Sequence, residues 1–380
     1  MTDSRVPNPV TAALQKIEPA PAVQTTDSAP VASHTDTVSA VRQYLLSRGS
    51  SSGVDRVFSG AMLLCALGIF ALVALIAVEL ATQSKLSWHA FGLSFFYRYN
   101  LDPVSHLPLF WDPVNGVFYA LPFIYGTLVT SIVALCIAVP LAIGLAVFLT
   151  EMCPRWMRAP LSFFTELLAA IPSVVYGLWA IFILVPLLRE QINPVLIAIF
   201  HQPILERLFG WTGLFGDEGL FGGVNLGLGL LCGGVILAIM ILPIIASLTR
   251  EVMSAVPNSQ REAVLALGAT RWEMIRMAVL RNARIGIVGS VILGLGRALG
   301  ETMAVAMVIG NSPEIHRSLL SMGHSMASVI ANEFSEATSD MHRSALIEVG
   351  LALFLVTIVV NAIARILVWA VTRGAPARVQ

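Results

Sequence analysis

The stretch VFYALPFIYGTLVTSIVALCIAVPLAIGLAVFL, residues 117–149, runs for 33 residues without one charged side chain. A bilayer core about 30 Å thick is crossed by about 20 residues of helix. This stretch is therefore a membrane span, long enough to tilt or to project past the lipid. Five other stretches meet the same length: 57–80, 161–188, 227–248, 285–309 and 346–371. A shorter apolar piece, 194–200, cannot cross and reads as interfacial or re-entrant. The expected fold class is thus all-α integral membrane, with six transmembrane helices. Composition agrees. Of 380 residues 56% are hydrophobic and 12% charged, against about 25% charged in soluble domains. An ordinary cytosolic enzyme and a disordered chain are excluded, and a net charge of zero speaks against a nucleic-acid binder.

Counting Lys and Arg orients the chain. With the N-terminus cytoplasmic, the inner segments hold 15 basic residues and the outer ones 6, while Arg297 and Arg365 lie within spans. Both termini are expected inside. Residues 1–52, rich in Pro, Ala, Ser and Thr, read as a disordered cytoplasmic tail, and 53–380 as the transmembrane domain. The first span starts too deep in the chain and is too long for a cleavable signal peptide. Four scattered cysteines suit neither a disulfide framework nor zinc.

Other chemistry is missing. No G-x-x-x-x-G-K-[ST] occurs, and neither Lys16 nor Lys85 follows a glycine loop, so no P-loop can cradle a nucleotide. The one G-x-S-x-G match, Gly49–Gly53, sits in a serine-rich linker with no strand before it. The seven histidines lack metal-ligand spacing on a helix face. No cofactor is expected on this chain, and no enzymatic site of its own.

The loop between spans four and five carries more. Ser259-x-x-Glu262 and Thr270-x-x-Glu273 both fit a capping box, and Gly268 suits a left-handed helix end. Two short helices joined by a glycine turn are expected. The first carries Ala263, Val264, Leu265, Ala266 and Leu267 in a row. An apolar helix of two turns on a charged loop is marginal alone and needs a surface to bury against, either its own helix ends or a partner's groove.

The fifth span, as read, has Arg297 and Glu301 near mid-length, four residues apart and able to share one helix face. A charge at the bilayer centre costs about 2.5–3.5 kcal/mol on insertion scales. Either the two neutralise each other and lock packing, or they mark a path. An arginine fork matches oxyanions such as phosphate, and Glu301 would hold Arg297 while the path is empty. Glu166, by the same reading, faces either that cavity or the inner interface. Ile171–Gly177 either lines a gate or packs a helix bend.

At these residues the sequence resembles a known family. Glu262, Ala263, Val264 and Gly268 are similar to the EAA loop of ABC-importer permeases (E-A-A, three residues, G, nine residues, I-x-L-P). Leu280 is kept, with Ala278 for Ile and Arg281 for Pro. The string Gly-Leu-Gly-Arg297-Ala-Leu-Gly-Glu301-Thr302-Met-Ala-Val, then Gly310-Asn311 and Ser325–Phe334, resembles permease subunits of phosphate-uptake ABC importers. The resemblance implies a MetI-like permease architecture with an importer core over about 117–372 and a coupling loop at 249–284. It implies three partners: a second homologous permease (PstA-like), a cytoplasmic ATPase dimer (PstB-like) and a periplasmic phosphate-binding protein (PstS-like). In the bacterial inner membrane the chain would form half of a phosphate path. Arg297, Glu301 and Thr302 would line it, and Glu262, Ala263, Val264, Leu265 and Gly268 would couple it to the ATPase. Other readings are a permease for another oxyanion, an ion-driven secondary carrier, or a membrane component acting mainly in phosphate sensing.

Overall fold

The computed structural model describes residues 52–101, 108–201 and 219–372. All but Ser52 of the proposed tail over 1–52 lies outside them. Among the described residues six helices are long and apolar enough to cross a membrane: Asp55–Gln83, Leu121–Met152, Ser173–Phe200, Leu230–Ser254, Arg271–Leu299 and Asp340–Ile366. The chain divides after Leu72 into two units. The described part of the first, 52–72, is one unbroken helical stretch with exposed apolar side chains such as Phe58, Leu64 and Phe70.

In the second unit, span four is the hub. Its Leu237, Ala238, Ile241 and Ile245 are fully buried together with Ala134, Ala138 and Ala142 of span two. Alanines four residues apart give span two a smooth stripe along which the two backbones approach, as membrane packing favours. Gly294 does the same for span five: a Cβ there would meet Ile245 Cδ1 at 2.7 Å. The Thr249 and Ser290 hydroxyls, both buried, lie 2.8 Å apart and pin spans four and five. A second core forms around the connection that joins spans one and two, where Phe95, Trp111, Phe118 and Phe123 pack with Met326 and span-six residues Leu346 and Val349. Two small hairpins, Asn100–Leu101 with Pro108–Leu109 and Trp111–Asp112 with Val117–Phe118, shape that connection. Span two accordingly begins at Leu121, after the second hairpin, and not at 117.

Three sequence expectations are corrected. The third span is Ser173–Phe200, not 161–188. Pro172 has no N–H and forces the residue before it out of the helical region, and Ile171 is indeed extended (φ −66°, ψ 131°). Residues 155–170 therefore form a separate helix bearing Glu166, and the piece 194–200 is the far end of span three. The fifth span does not run 285–309. Its helix stops at Leu299, Gly300 caps it, and a short helix Met303–Val308 follows a non-helical step at 300–302. Finally, the Ser259 capping box does not form. The loop helix is Asn258–Ala266, with Pro257 as its cap residue and no side-chain cap bond. The Thr270–Glu273 box does form, in both directions.

Alternation over six crossings puts the connections 153–172 and 255–270 on one side of the bilayer, and 84–120 on the other.

Candidate functional site

Two places bring the singled-out residues together. The first is the break in span five. One side of its helix, Ala283, Ile287, Ser290, Gly294 and Ala298, is buried. Away from that seam Leu293 and Arg297 are exposed, and a Cβ at Gly289 or Gly296 would touch nothing. Arg297 thus stands on an open side of span five, two residues before its helix ends at Leu299. Glu301 lies past the helix end, partly buried, with its N–H 3.4 Å from the Ala298 carbonyl. The expected i, i+4 pairing on one face is not made, because the helix that would align the two residues stops at Leu299. Among the described residues Arg297 has no ion-pair or hydrogen-bond partner, but its charge reaches the Tyr176 phenol. Thr302 immediately precedes the short helix, and its carbonyl accepts the Ala306 N–H at 2.9 Å.

The break is held open by packing. Gly177 of span three lets the short helix come close: a Cβ there would meet Met307 Sδ at 2.5 Å and Ala304 Cα at 3.2 Å. Tyr176 donates to the Leu168 carbonyl at 2.8 Å, across the Pro172 bend. The Ile171–Gly177 segment is thus a bend and a close-packing site. Beyond the short helix, Gly310 (φ +93°) turns the chain, and the Asn311 amide donates to the Ala306 carbonyl at 3.0 Å. The connection that follows places His324 in a buried setting beside Ser328 at 2.7 Å. Burial holds its imidazole down to about 4, against a weaker opposing hydrogen bond at Ser325.

The second place is the loop helix Asn258–Ala266. It has no fully buried residue. Val264 packs against the cluster of Met253, Met274 and Ile275, while Glu262, Ala263 and Ala266 are exposed, as are Leu265 and, at 88%, Leu267. Gly268 (φ +84°) reverses the chain, its N–H bonding the Leu265 carbonyl at 3.0 Å. An apolar end standing in solvent is therefore a fact of the fold, and the chain's own helices do not cover it.

Sequence reading missed what anchors this helix. Arg261 Nη2 and Nε donate to Glu151 Oε1 at 3.1 and 3.2 Å. Its guanidinium also donates to the carbonyls of Met253 (2.8 Å) and Val256 (2.5 Å) and to Asn258 Oδ1 (2.9 Å). On the other flank Asn282 donates to Gln260 Oε1 at 2.7 Å. One signal was available: Glu151 is the first charge after the long apolar run. A cavity of about 600 Å³ lies beside this anchor, lined by Glu151, Glu262, Leu265, Arg271 and Trp272 among others. Glu166, on the helix before the Pro172 bend, is paired with Arg250 near the end of span four at 2.9 Å, on this same side of the bilayer. Glu348 was also passed over. It is fully buried in span six, beside the Ser87 hydroxyl.

The profile of the family described as "Binding-protein-dependent transport system inner membrane component" matches residues 138–373. The phosphate transport system permease protein PstC of Haemophilus influenzae is 45% identical over 316 residues, covering 83% of this chain and 93% of that one. The protein of the same name from Mesorhizobium japonicum is 43% identical over 311 residues, 82% and 89% of the two chains. Among solved structures, a bacterial ABC transporter that imports the acidic polysaccharide alginate aligns at TM-score 0.48 and 16% identity, over 84% of this chain and 98% of that chain.

Proposed function

This chain belongs to the binding-protein-dependent transport system inner membrane components, and from that membership we propose that it is the PstC-type permease of a phosphate importer. It is a multi-pass membrane subunit that forms half of the path for inorganic phosphate. A second, PstA-like permease completes the path. A PstB-like ATPase dimer seats against the exposed end of the 258–266 helix, and a PstS-like binding protein delivers the anion from the far side. Both termini and the loop helix are cytoplasmic, and ATP is hydrolysed by the partner, with no cofactor held here. The near-full-length likeness to relatives named as phosphate permeases supports the substrate.

The observation that carries the permeation role is Arg297. An exposed guanidinium within a span and facing acyl chains would carry an insertion cost of the kind given above. Irregular backbone such as 300–302 is tolerated at membrane depth only against protein or water. The open side of span five therefore faces a partner subunit across a wet passage, with Arg297 offering a planar fork to a passing oxyanion. Glu301 and Thr302 line the same step. Closing of the ATPase dimer moves the loop helix as a unit, and the spans attached to it open the passage outward. After hydrolysis the passage opens inward.

The test is radiolabelled phosphate uptake by cells carrying Arg297→Gln at normal expression. Losing one charge-assisted contact, worth about 1.5–3 kcal/mol, should lower uptake tenfold or more. Unchanged uptake would remove Arg297 from the path.

A further inference from the structure

We propose that the Arg261–Glu151 ion pair is the strut through which the loop helix drives span two, and that without it the importer hydrolyses ATP but moves little phosphate. This rests on the coupling role proposed above and assigns it to particular atoms. The loop helix is nine residues long. Its apolar end, Leu265 to Leu267, is exposed, Val264 packs on Met253, Met274 and Ile275, and its side-chain hydrogen bonds come from two adjacent residues, Gln260 and Arg261, that reach different spans. Gln260 is held by Asn282 of span five through one neutral amide contact. Arg261 is held by Glu151, in the π-helical turn that ends span two, and by the last carbonyls of span four. Met253 is in the last turn of span four and Val256 lies just past it, so the guanidinium caps the end of span four while gripping span two.

Only 15% of the Arg261 side chain and 9% of that of Glu151 are exposed. A pair this sheltered is stiff and weakly screened. All three guanidinium nitrogens are engaged at once, a geometry that a lysine cannot reproduce. Span two in turn carries the alanine stripe on which span four rests, so motion delivered at Glu151 reaches the centre of the bundle. On span five the helix has only the neutral Gln260–Asn282 bond and the apolar packing of Val264 on Met274 and Ile275, with no ion pair. The adjacent cavity leaves room for the helix to swing when the strut is cut.

Charge reversal at both positions is a poor test, because a carboxylate at 261 would face three other oxygens. The informative variants are Glu151→Gln and Arg261→Lys, with Glu151→Asp as the conservative rescue. Each is assembled with the second permease, the ATPase and the binding protein in proteoliposomes. Phosphate uptake and ATP hydrolysis are measured together. The expected result is a fall of roughly tenfold in phosphate moved per ATP, with hydrolysis within about twofold of the unmodified complex and partial recovery in Glu151→Asp. A parallel fall of uptake and hydrolysis, or no change in their ratio, overturns the strut.

A second readout needs no substrate. Spin labels at Leu267→Cys and Leu141→Cys, both exposed, are placed in a background without the four native cysteines. Their separation should stay constant between nucleotide-free and ATP-trapped complexes when Glu151 is present, and should shift by about 2 Å or more in Glu151→Gln. A separation equally constant in the variant overturns the strut. If the unmodified complex moves no phosphate, the substrate reading fails while this distance still decides the strut.

Discussion

His324 and Glu348 show how differently two buried titratable residues behave here. His324, held at about 4 by burial, stays neutral in the folded protein. The unfolded chain takes up a proton near pH 6.5. Between those values the unfolded state binds the extra proton, so stability is full above pH 6.5 and is lost as pH falls toward 4. At about 1.4 kcal/mol per pH unit the loss reaches about 3 kcal/mol. Melting of the purified protein from pH 7.5 down to 5 should show Tm falling, and His324→Gln should flatten that slope. Glu348 is a fully buried carboxyl with no ion-pair partner among the described residues and only the neutral Ser87 hydroxyl beside it, and such a group is costly to bury. Glu348→Gln keeps the shape and drops the charge, so Tm should rise. A lower Tm would mean that the contact with Ser87 is worth more than the burial costs.

At the level of elements, the turn at Gly268 and the break at Gly300 matter most. Gly268 holds φ +84°, where a side chain costs roughly 1–2 kcal/mol. A Cβ there would meet no neighbour, so the cost of Gly268→Val is backbone strain and not a clash. The loop helix should loosen while the bundle keeps its fold. Transport should uncouple from ATP hydrolysis, read as an unchanged thermal melt with a lower uptake per ATP. Gly294→Val is the contrasting case, because its Cβ meets Ile245. Overpacking there should cost about 1–3 kcal/mol and appear as a lower Tm.

For the whole molecule, the crossing count makes a statement about sides. Leu267 and Trp156 are 88% and 78% exposed on connections that share one face of the bilayer, and Val114, 93% exposed, lies on the opposite face. Single cysteines at these positions should react with an impermeant maleimide in two groups. The basic-residue count places Leu267 and Trp156 on the cytoplasmic side, unlabelled in intact cells, with Val114 labelled from outside. A reversed pattern would invert the orientation and with it the seat of the ATPase.

Length and apolarity alone were enough for six crossings, because the bilayer imposes one yardstick on any chain. Gly268 and the Thr270–Glu273 box announced the turn and the second loop helix, since those signals are local, whereas the Ser259 box expected to start the first helix does not form. Three things were out of reach. The break after Leu299 reads in sequence as continuous apolar helix, and it exists because the following turn packs on Gly177 more than a hundred residues away. The separation of Arg297 from Glu301 follows from that break. The grip of Arg261 on Glu151 joins residues 110 apart, and no local pattern encodes a partner brought near only when spans two and four pack together. Hydrophobic length is a property of a segment, but the pairing of charges belongs to the assembled bundle.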